Sequence, residues 1–305
     1  MAERIGTLLV VGIGDIHGRF HRVQDWLAEL EKALGREADL VFAVGDVEAF
    51  INAEDHRRKA AKRAMPAEFA DYAHGRATAR HELWFIGGNN EDFETLHPIQ
   101  QGGDLPGGCR YLGRAGVRQM KGLTVAYLSG ILAPKHFERP LEPPRTKDTY
   151  KQAGYFRKPE VVKLVADAKD VDLLLVHEWP KGIVRRSRDR SLRAYHMPWI
   201  GSPVTREVLE RLRPSWMWAG HSHVPYATSV KHSSGAVTRV ACLDQAARPE
   251  GSVFWLEFDG REPIRAGWGI TGEAAWRRGE EWEDDRTPAA PASDEPEEPD
   301  EQPMA

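Results

Sequence analysis

The 305-residue chain holds only two cysteines, Cys109 and Cys242, too few for a disulfide framework. It also lacks any apolar run near the ~20 residues that a membrane-spanning helix needs. The longest, "TLLVVGIG" and "VDLLLVH", are far shorter, and the first lacks the basic start and small-residue cleavage site of a secretory signal. Nothing repeats at a fixed period. There is no phosphate-binding G-x-x-x-x-G-K-[ST] loop and no G-x-S-x-G nucleophile elbow. "GIGDIHG" begins like a dinucleotide fingerprint, but His17 stands where the third glycine is required. What remains is an ordinary globular protein, expected in the cytoplasm and away from membranes.

The formal net charge of −4 conceals an asymmetry. From Glu280 onward the chain carries eleven acidic residues and one arginine, which leaves the preceding 279 residues at about +6. This end is rich in Pro, Glu, Asp and Ala and nearly free of aliphatics, a composition that cannot build a core. Residues 1–275 therefore read as one domain. Residues 276–305 read as an acidic, proline-rich disordered tail that either aids solubility or mimics a polyanion.

Within the body, "TLLVVGIGD", "ADLVFAVGD", "ELWFIGGNN", "VDLLLVHEW" and "SWMWAGHSH" are apolar runs that predict strands buried on both faces. "RFHRVQDWLAELEKALG" has apolar residues at helical spacing and ends in glycine, and helices are also expected near 159–169 and over "TREVLERLRP". "ATSVKH", "AVTRVACL" and "SVFWLEF" read as further strands of an antiparallel or mixed sheet. Helices between strands early, and strands in succession late, predict an α/β fold: a four-layer α/β/β/α sandwich of two mixed sheets.

Each of the five long apolar strands ends in polar residues: Asp15 and His17, then Asp46, Asn89, His177, and finally His221 with His223. Sites in open α/β sheets lie beyond the carboxyl ends of the strands, so these loops converge on one rim. A lone histidine after a strand is usually a satisfied surface residue. A whole set of Asp, His and Asn, each behind an apolar strand, is difficult to read that way. Carboxylate, amide and imidazole without thiolate suit two divalent cations, namely manganese, iron or zinc, with magnesium ranking behind. Such a pair clamps a phosphoryl group and activates water.

The motifs GD-x-H, GD, GN-x-E, H and GH-x-H, in this order, resemble the calcineurin-like metallophosphoesterases. "FIGGNNEDFETL", "YLGRAGV", "LSGI", "DLLLVHEWPKGI", "GSP" and "ACLDQ" resemble more narrowly the RNA lariat debranching branch of that superfamily, over residues 8 to 260. The resemblance implies that Asp15, His17 and His223 hold one metal, that Asn89, His177 and His221 hold the other, and that Asp46 bridges them. The chain departs from the branch at Asp15, where debranching enzymes usually carry Cys, and at Asn90, where the family pattern has a histidine acting as general acid.

Asn90 can donate a hydrogen bond but cannot transfer a proton near neutral pH. Loss of a general acid costs ~10²–10⁴ in rate, most of all for a basic alkoxide leaving group. His74, His81, His97, His136 and His196 are candidate substitutes, with His196 in "YHMPWIGSP" preferred. For substrate contact, "KGIVRRSRDRSLR" offers Arg185 and Arg186. "PRTKDTYKQAGYFRK" offers Arg145, Lys151 and Tyr155, a mix of charge and aromatics that suits single-stranded nucleic acid. "HRRKAAKRAM" reads instead as a solvated helix face. The expected activity is a dinuclear phosphodiesterase on RNA or nucleotides, in which a hydroxide generated at the metals attacks phosphorus. The alternatives are a phosphatase or phosphoanhydride hydrolase that needs no acid, and a catalytically impaired metal- and RNA-binding protein.

Overall fold

A computed structural model describes residues 7–59, 66–184 and 200–282. The first five strands are β1 (Leu8–Ile13), β2 (Leu40–Ala43), β3 (Leu83–Phe85), β4 (Gly103–Leu105) and β5 (Cys109–Tyr111). Six more follow: β6 (Ala115–Met120), β7 (Leu123–Leu128), β8 (Leu173–Val176), β9 (Trp216–Ala219), β10 (Tyr226–Lys231) and β11 (Val237–Cys242). The last three are β12 (Val253–Asp259), β13 (Glu262–Trp268) and β14 (Trp276–Arg277). One sheet has the order β14-β13-β12-β1-β2-β3-β5-β4 and the other β10-β11-β9-β8-β7-β6. The chain thus builds most of the first sheet, crosses to complete the second, and returns to finish the first.

Alternation along the strands makes four layers. Leu8 and Val10 of β1 face the core between the sheets, whereas Leu9, Val11 and Ile13 face the helix Phe20–Leu34. In β9, Trp216 and Trp218 point inward, while Met217 and Ala219 join Val208 and Leu209 of the helix Pro203–Leu212. The helix Phe20–Leu34 buries Phe20, Val23, Trp26, Leu27 and Leu30, one stripe at helical spacing, and stops at Gly35 with φ 70°. Each such apolar side chain contributes roughly 1.5–3 kcal/mol relative to exposure. Among the described residues no helix is long and apolar enough to cross a membrane.

Two regions differ from the sequence expectation. Residues 103–128, without a predicted element, form β4 to β7. Glycines 102, 103, 107, 108 and 113 keep the early strands short and hide their period. The β6–β7 hairpin turns on Lys121 and Gly122, both with positive φ (48° and 85°), as a tight two-residue loop demands.

The second region is the start of the expected tail, where residues 276–282 are built into the fold. Trp276 lies in β14, paired with β13, and is 1% exposed. Trp282 packs its ring 5.1 Å from Trp216 and 5.7 Å from Phe254, and its indole N–H donates to the Val240 carbonyl (3.1 Å). These two tryptophans close the core between the sheets, so residues 276–282 pack with the body. Residues 283–305 lie outside the described residues. Trp282→Ala should lower unfolding free energy by about 3–5 kcal/mol in a denaturant titration; an unchanged midpoint would mean that this end is not part of the core.

Candidate metal centre

The parallel strands β1, β2 and β3 of one sheet, and β8 and β9 of the other, deliver their carboxyl ends to a common rim. Asp15, His17, Asp46 and Asn89 arrive from the first sheet, and His177, His221 and His223 from the second. Asp15, His17, Asp46 and His223 each place a ligand atom within 4.8 Å of the others. Asn89, His177 and His221 lie next to this group, and the His221 backbone N–H donates to both Asp15 oxygens (3.1 and 2.9 Å). His177 Nε2 is 3.0 Å from Asn89 Oδ1 and 3.4 Å from Asp46 Oδ1, and the rings of His177 and His221 are 5.1 Å apart.

Tautomers show what these groups lack. The Nδ1 atom of His177 lies 2.8 Å from the Val44 carbonyl, which can only accept, so Nδ1 carries the proton. In the neutral ring Nε2 then holds a lone pair, aimed at two oxygen acceptors. His17 is arranged alike. Its Nδ1 donates to Glu48 Oε1 (2.9 Å), and its Nε2 faces His223 Nε2 at 3.1 Å and Asp46 Oδ2 at 3.9 Å. His223 Nε2 is also 3.0 Å from Asp15 Oδ2. Lone pairs that converge without enough protons between them fit a cation, and the outer hydrogen bonds to Val44 and Glu48 are those that orient metal-binding imidazoles. The residues present therefore fit a divalent metal.

The backbone is shaped to the same end. His17, Asp46, His221 and His223 have φ of 47°, 46°, 71° and 51°, a region where non-glycine residues carry strain. Glycines give the ligands room. A Cβ on Gly220 would lie 2.1 Å from Asp15 Oδ1, one on Gly88 2.0 Å from Asp46 Oδ1, and one on Gly45 2.4 Å from His177 Nδ1. The Asp15 carboxyl sits well below the usual carboxylate range: burial pushes it up, but His177, His223 and His17 outweigh burial. Burial, then the charge of His177, pushes His221 down to about 4, so its lone pair is free at neutral pH.

Three residues given no role in the sequence reading, Glu48, His56 and Glu91, support this arrangement. Glu48, fully buried, reaches His17 and, at 3.1 Å, His56 Nε2. Glu91 Oε1 accepts the N–H groups of Val47 and Gly88 (both 3.0 Å), and Oε2 accepts that of Glu48 (2.9 Å), which ties the β2 loop to the β3 loop. The acids in "GDVE" and "GGNNE" were the available signal; His56 has none.

The remaining candidates fall elsewhere. Asn90 turns to Asp46: its backbone N–H donates to Oδ1 and its amide Nδ2 to Oδ2, each at 2.7 Å. Tyr155 is buried with its ring against His136 (5.6 Å, 32°), a correction to its expected role as a stacking platform; an aromatic between basic residues here anchors the segment. Arg145 and Lys151 are exposed, on a segment whose Tyr150 hydroxyl donates to the Glu91 carbonyl (2.7 Å). His81 pairs with Glu31, His97 lies by Gln100, and His74 is exposed. His196, Arg185 and Arg186 lie outside the described residues.

A buried carboxylate and imidazole cluster at the strand ends of a two-sheet sandwich is the arrangement of a metallophosphoesterase. The sequence profile described as Calcineurin-like phosphoesterase matches residues 8–225, and the chain belongs to that family of hydrolases. It is similar to the lariat debranching enzyme of Danio rerio, with 30% identity over 279 residues, covering 81% of this chain and 48% of that protein. For lariat debranching enzyme A of Xenopus laevis the figures are 30%, 76% and 47%. For the lariat debranching enzyme of Drosophila melanogaster they are 31%, 72% and 43%. The chain spans about half the length of the curated relatives it matches.

If Gly220 exists to clear Asp15, Gly220→Ala should weaken Mn²⁺ binding by ~10–100-fold, the usual cost of disturbing a ligand's support, while unfolding stays cooperative. Titration calorimetry and thermal unfolding decide this together; unchanged affinity would remove the steric argument.

Proposed function

We propose that the protein is a dinuclear metal-dependent phosphodiesterase whose substrates are RNA or nucleotides. The observation that carries this reading is the placing of two acceptor groups on opposite oxygens of one carboxylate. Asp46 Oδ1 faces His177 with Asn89, and Oδ2 faces His17 of the Asp15 and His223 group. In this reading Asp15, His17 and His223 hold one cation, Asn89, His177 and His221 hold the second, and Asp46 is shared.

Two cations bound there supply charge to offset the phosphoryl oxygens and acidify a water. The donor set, oxygen and imidazole without thiolate, supports manganese, iron or zinc. The chain itself fixes geometry: Val44 and Glu48 hold two imidazoles in one tautomer and orientation, and the left-handed turns aim the ligands. Arg145 and Lys151, exposed on the segment packed against the Glu91 loop, supply positive charge that attracts a phosphate backbone. The similarity to lariat debranching enzymes supports RNA as the substrate class.

A second reading, hydrolysis of an anhydride or monoester in a small nucleotide, is favoured by one contact. The Asn90 amide is engaged with Asp46, and leaving groups that depart without a proton tolerate this best.

The test compares an aryl phosphodiester with a short RNA bearing a 2′,5′ branch, in Mn²⁺. Both are expected to turn over, and EDTA is expected to stop both. Cleavage of the aryl ester alone would favour the second reading, and no turnover of either would remove the first. Asp46→Asn should abolish hydrolysis and lower metal content measured by elemental analysis. Full turnover in that variant would defeat the bridging assignment.

A further inference from the structure

We propose that Asn90 is a positioning residue, a two-point clamp that sets the orientation of the Asp46 carboxylate. This rests on the reading of Asp46 as the carboxylate shared by two metals, and adds what holds it there. One residue supplies both bonds: the Asn90 backbone N–H reaches Oδ1 and its Nδ2 reaches Oδ2, each at 2.7 Å. Distances this short, to a charged acceptor, mark strong hydrogen bonds.

Lone-pair counting gives the consequence. An ionised carboxylate offers about four acceptor sites, two per oxygen. Asn90 takes one on each. One therefore remains on each oxygen, with Oδ1 beside His177 (3.4 Å) and Oδ2 beside His17 (3.9 Å). A carboxylate held this way is set to share its two oxygens between the two groups rather than give both to one cation. Turning the carboxylate about its Cβ–Cγ bond would stretch both bonds to Asn90 together, so the clamp resists that motion.

The surroundings keep the clamp rigid. Asp46 sits at φ 46°, and the residues after it are tied by Glu91, which takes the N–H groups of Val47 and Glu48 with one carboxylate and that of Gly88 as well. Gly88 cannot carry a Cβ without meeting Asp46 Oδ1 at 2.0 Å. Residues 88 to 91 thus grip residues 46 to 48 at several points, and Asn90 is the grip that acts on the ligand atoms themselves. A shorter side chain could not reach Oδ2. The amide so engaged is turned to the metal ligand rather than to a leaving group. Position 90 then governs metal loading instead of proton delivery.

The experiment measures Mn²⁺ binding by titration calorimetry, and aryl phosphodiester turnover across a range of Mn²⁺ concentrations, for the wild type and Asn90→Ala. Asn90→Leu, which has a similar branched shape and removes the side-chain donor, serves if the alanine variant fails to fold. Loss of an outer contact to a metal ligand lowers affinity by ~10–100-fold. The expected result is that loss in at least one binding event, with kcat returning towards the wild-type value as Mn²⁺ is raised. Unchanged affinity with kcat depressed at saturating Mn²⁺ would overturn the proposal, because Asn90 would then act on the substrate. Wild-type affinity and turnover together would overturn it equally. Asp46→Ala, run in parallel, separates the two levels. If Asp46→Ala leaves Mn²⁺ binding intact, the site reading fails; if it abolishes binding and Asn90→Ala does not weaken it, only the clamp fails.

Discussion

The fold brings together groups that repel one another. Five loops meet on one rim, and what they present is mostly lone pairs: two carboxylates, an amide oxygen and four imidazoles, two of which approach nitrogen to nitrogen at 3.1 Å. Two of the imidazoles, His177 and His17, already place their Nδ1 protons outward, on Val44 and Glu48, so their Nε2 atoms face the cluster. Strain in the left-handed turns, the glycine clearances and the buried Glu91 tie all serve to hold this crowding in place. Such a site stores a demand for positive charge, and the two-sheet core supplies the rigidity that keeps the demand from relaxing.

That rigidity comes from sharing the site between sheets. The ligands on β1, β2 and β3 cannot move relative to those on β8 and β9 unless the layer between the sheets shifts. That layer is filled by Phe42, Val44, Ile86, Leu175 and Trp218, all without exposed surface. Interiors packed at crystal-like density do not yield to small displacements. A cluster of this kind on one sheet would depend on its loops alone. Split across two, it inherits the stiffness of the whole domain.

Much of this was legible in the sequence because two signals coincided. Apolar runs mark the buried strands, and polar residues just beyond them mark where those strands end, so the sequence alone brings Asp15, Asp46, Asn89, His177 and His221 to one rim. Signals that depended on one cue misled. Tyr155 stood among basic residues and read as a stacking surface, but its ring is packed against His136, since composition does not say which way a side chain faces. Trp276, between Ala275 and Arg277, and Trp282, between two glutamates, read as tail, although both pack in the core between the sheets. The partners behind the ligands were hidden for a different reason. Glu48 and His56 act through a contact made only when the helix Ala53–Lys59 folds against the β2 loop, and no local spacing announces it.

The return of the chain to its first sheet has a consequence for biosynthesis. β1 carries Asp15 and His17 on its loop, yet its antiparallel neighbour is β12, with Gly12 opposite Phe254. The Gly14 N–H donates to the Ser252 carbonyl, and the Ala246 N–H to the Asp15 carbonyl, just where the first metal-binding loop leaves the strand. A ribosome adding ~5–20 residues per second makes the Asp15 loop early and its flanking support many seconds later. Until then the bonds that join this loop to Ser252 and Ala246 cannot form. The order of synthesis thus puts the Asp15 loop well ahead of the residues that flank and support it.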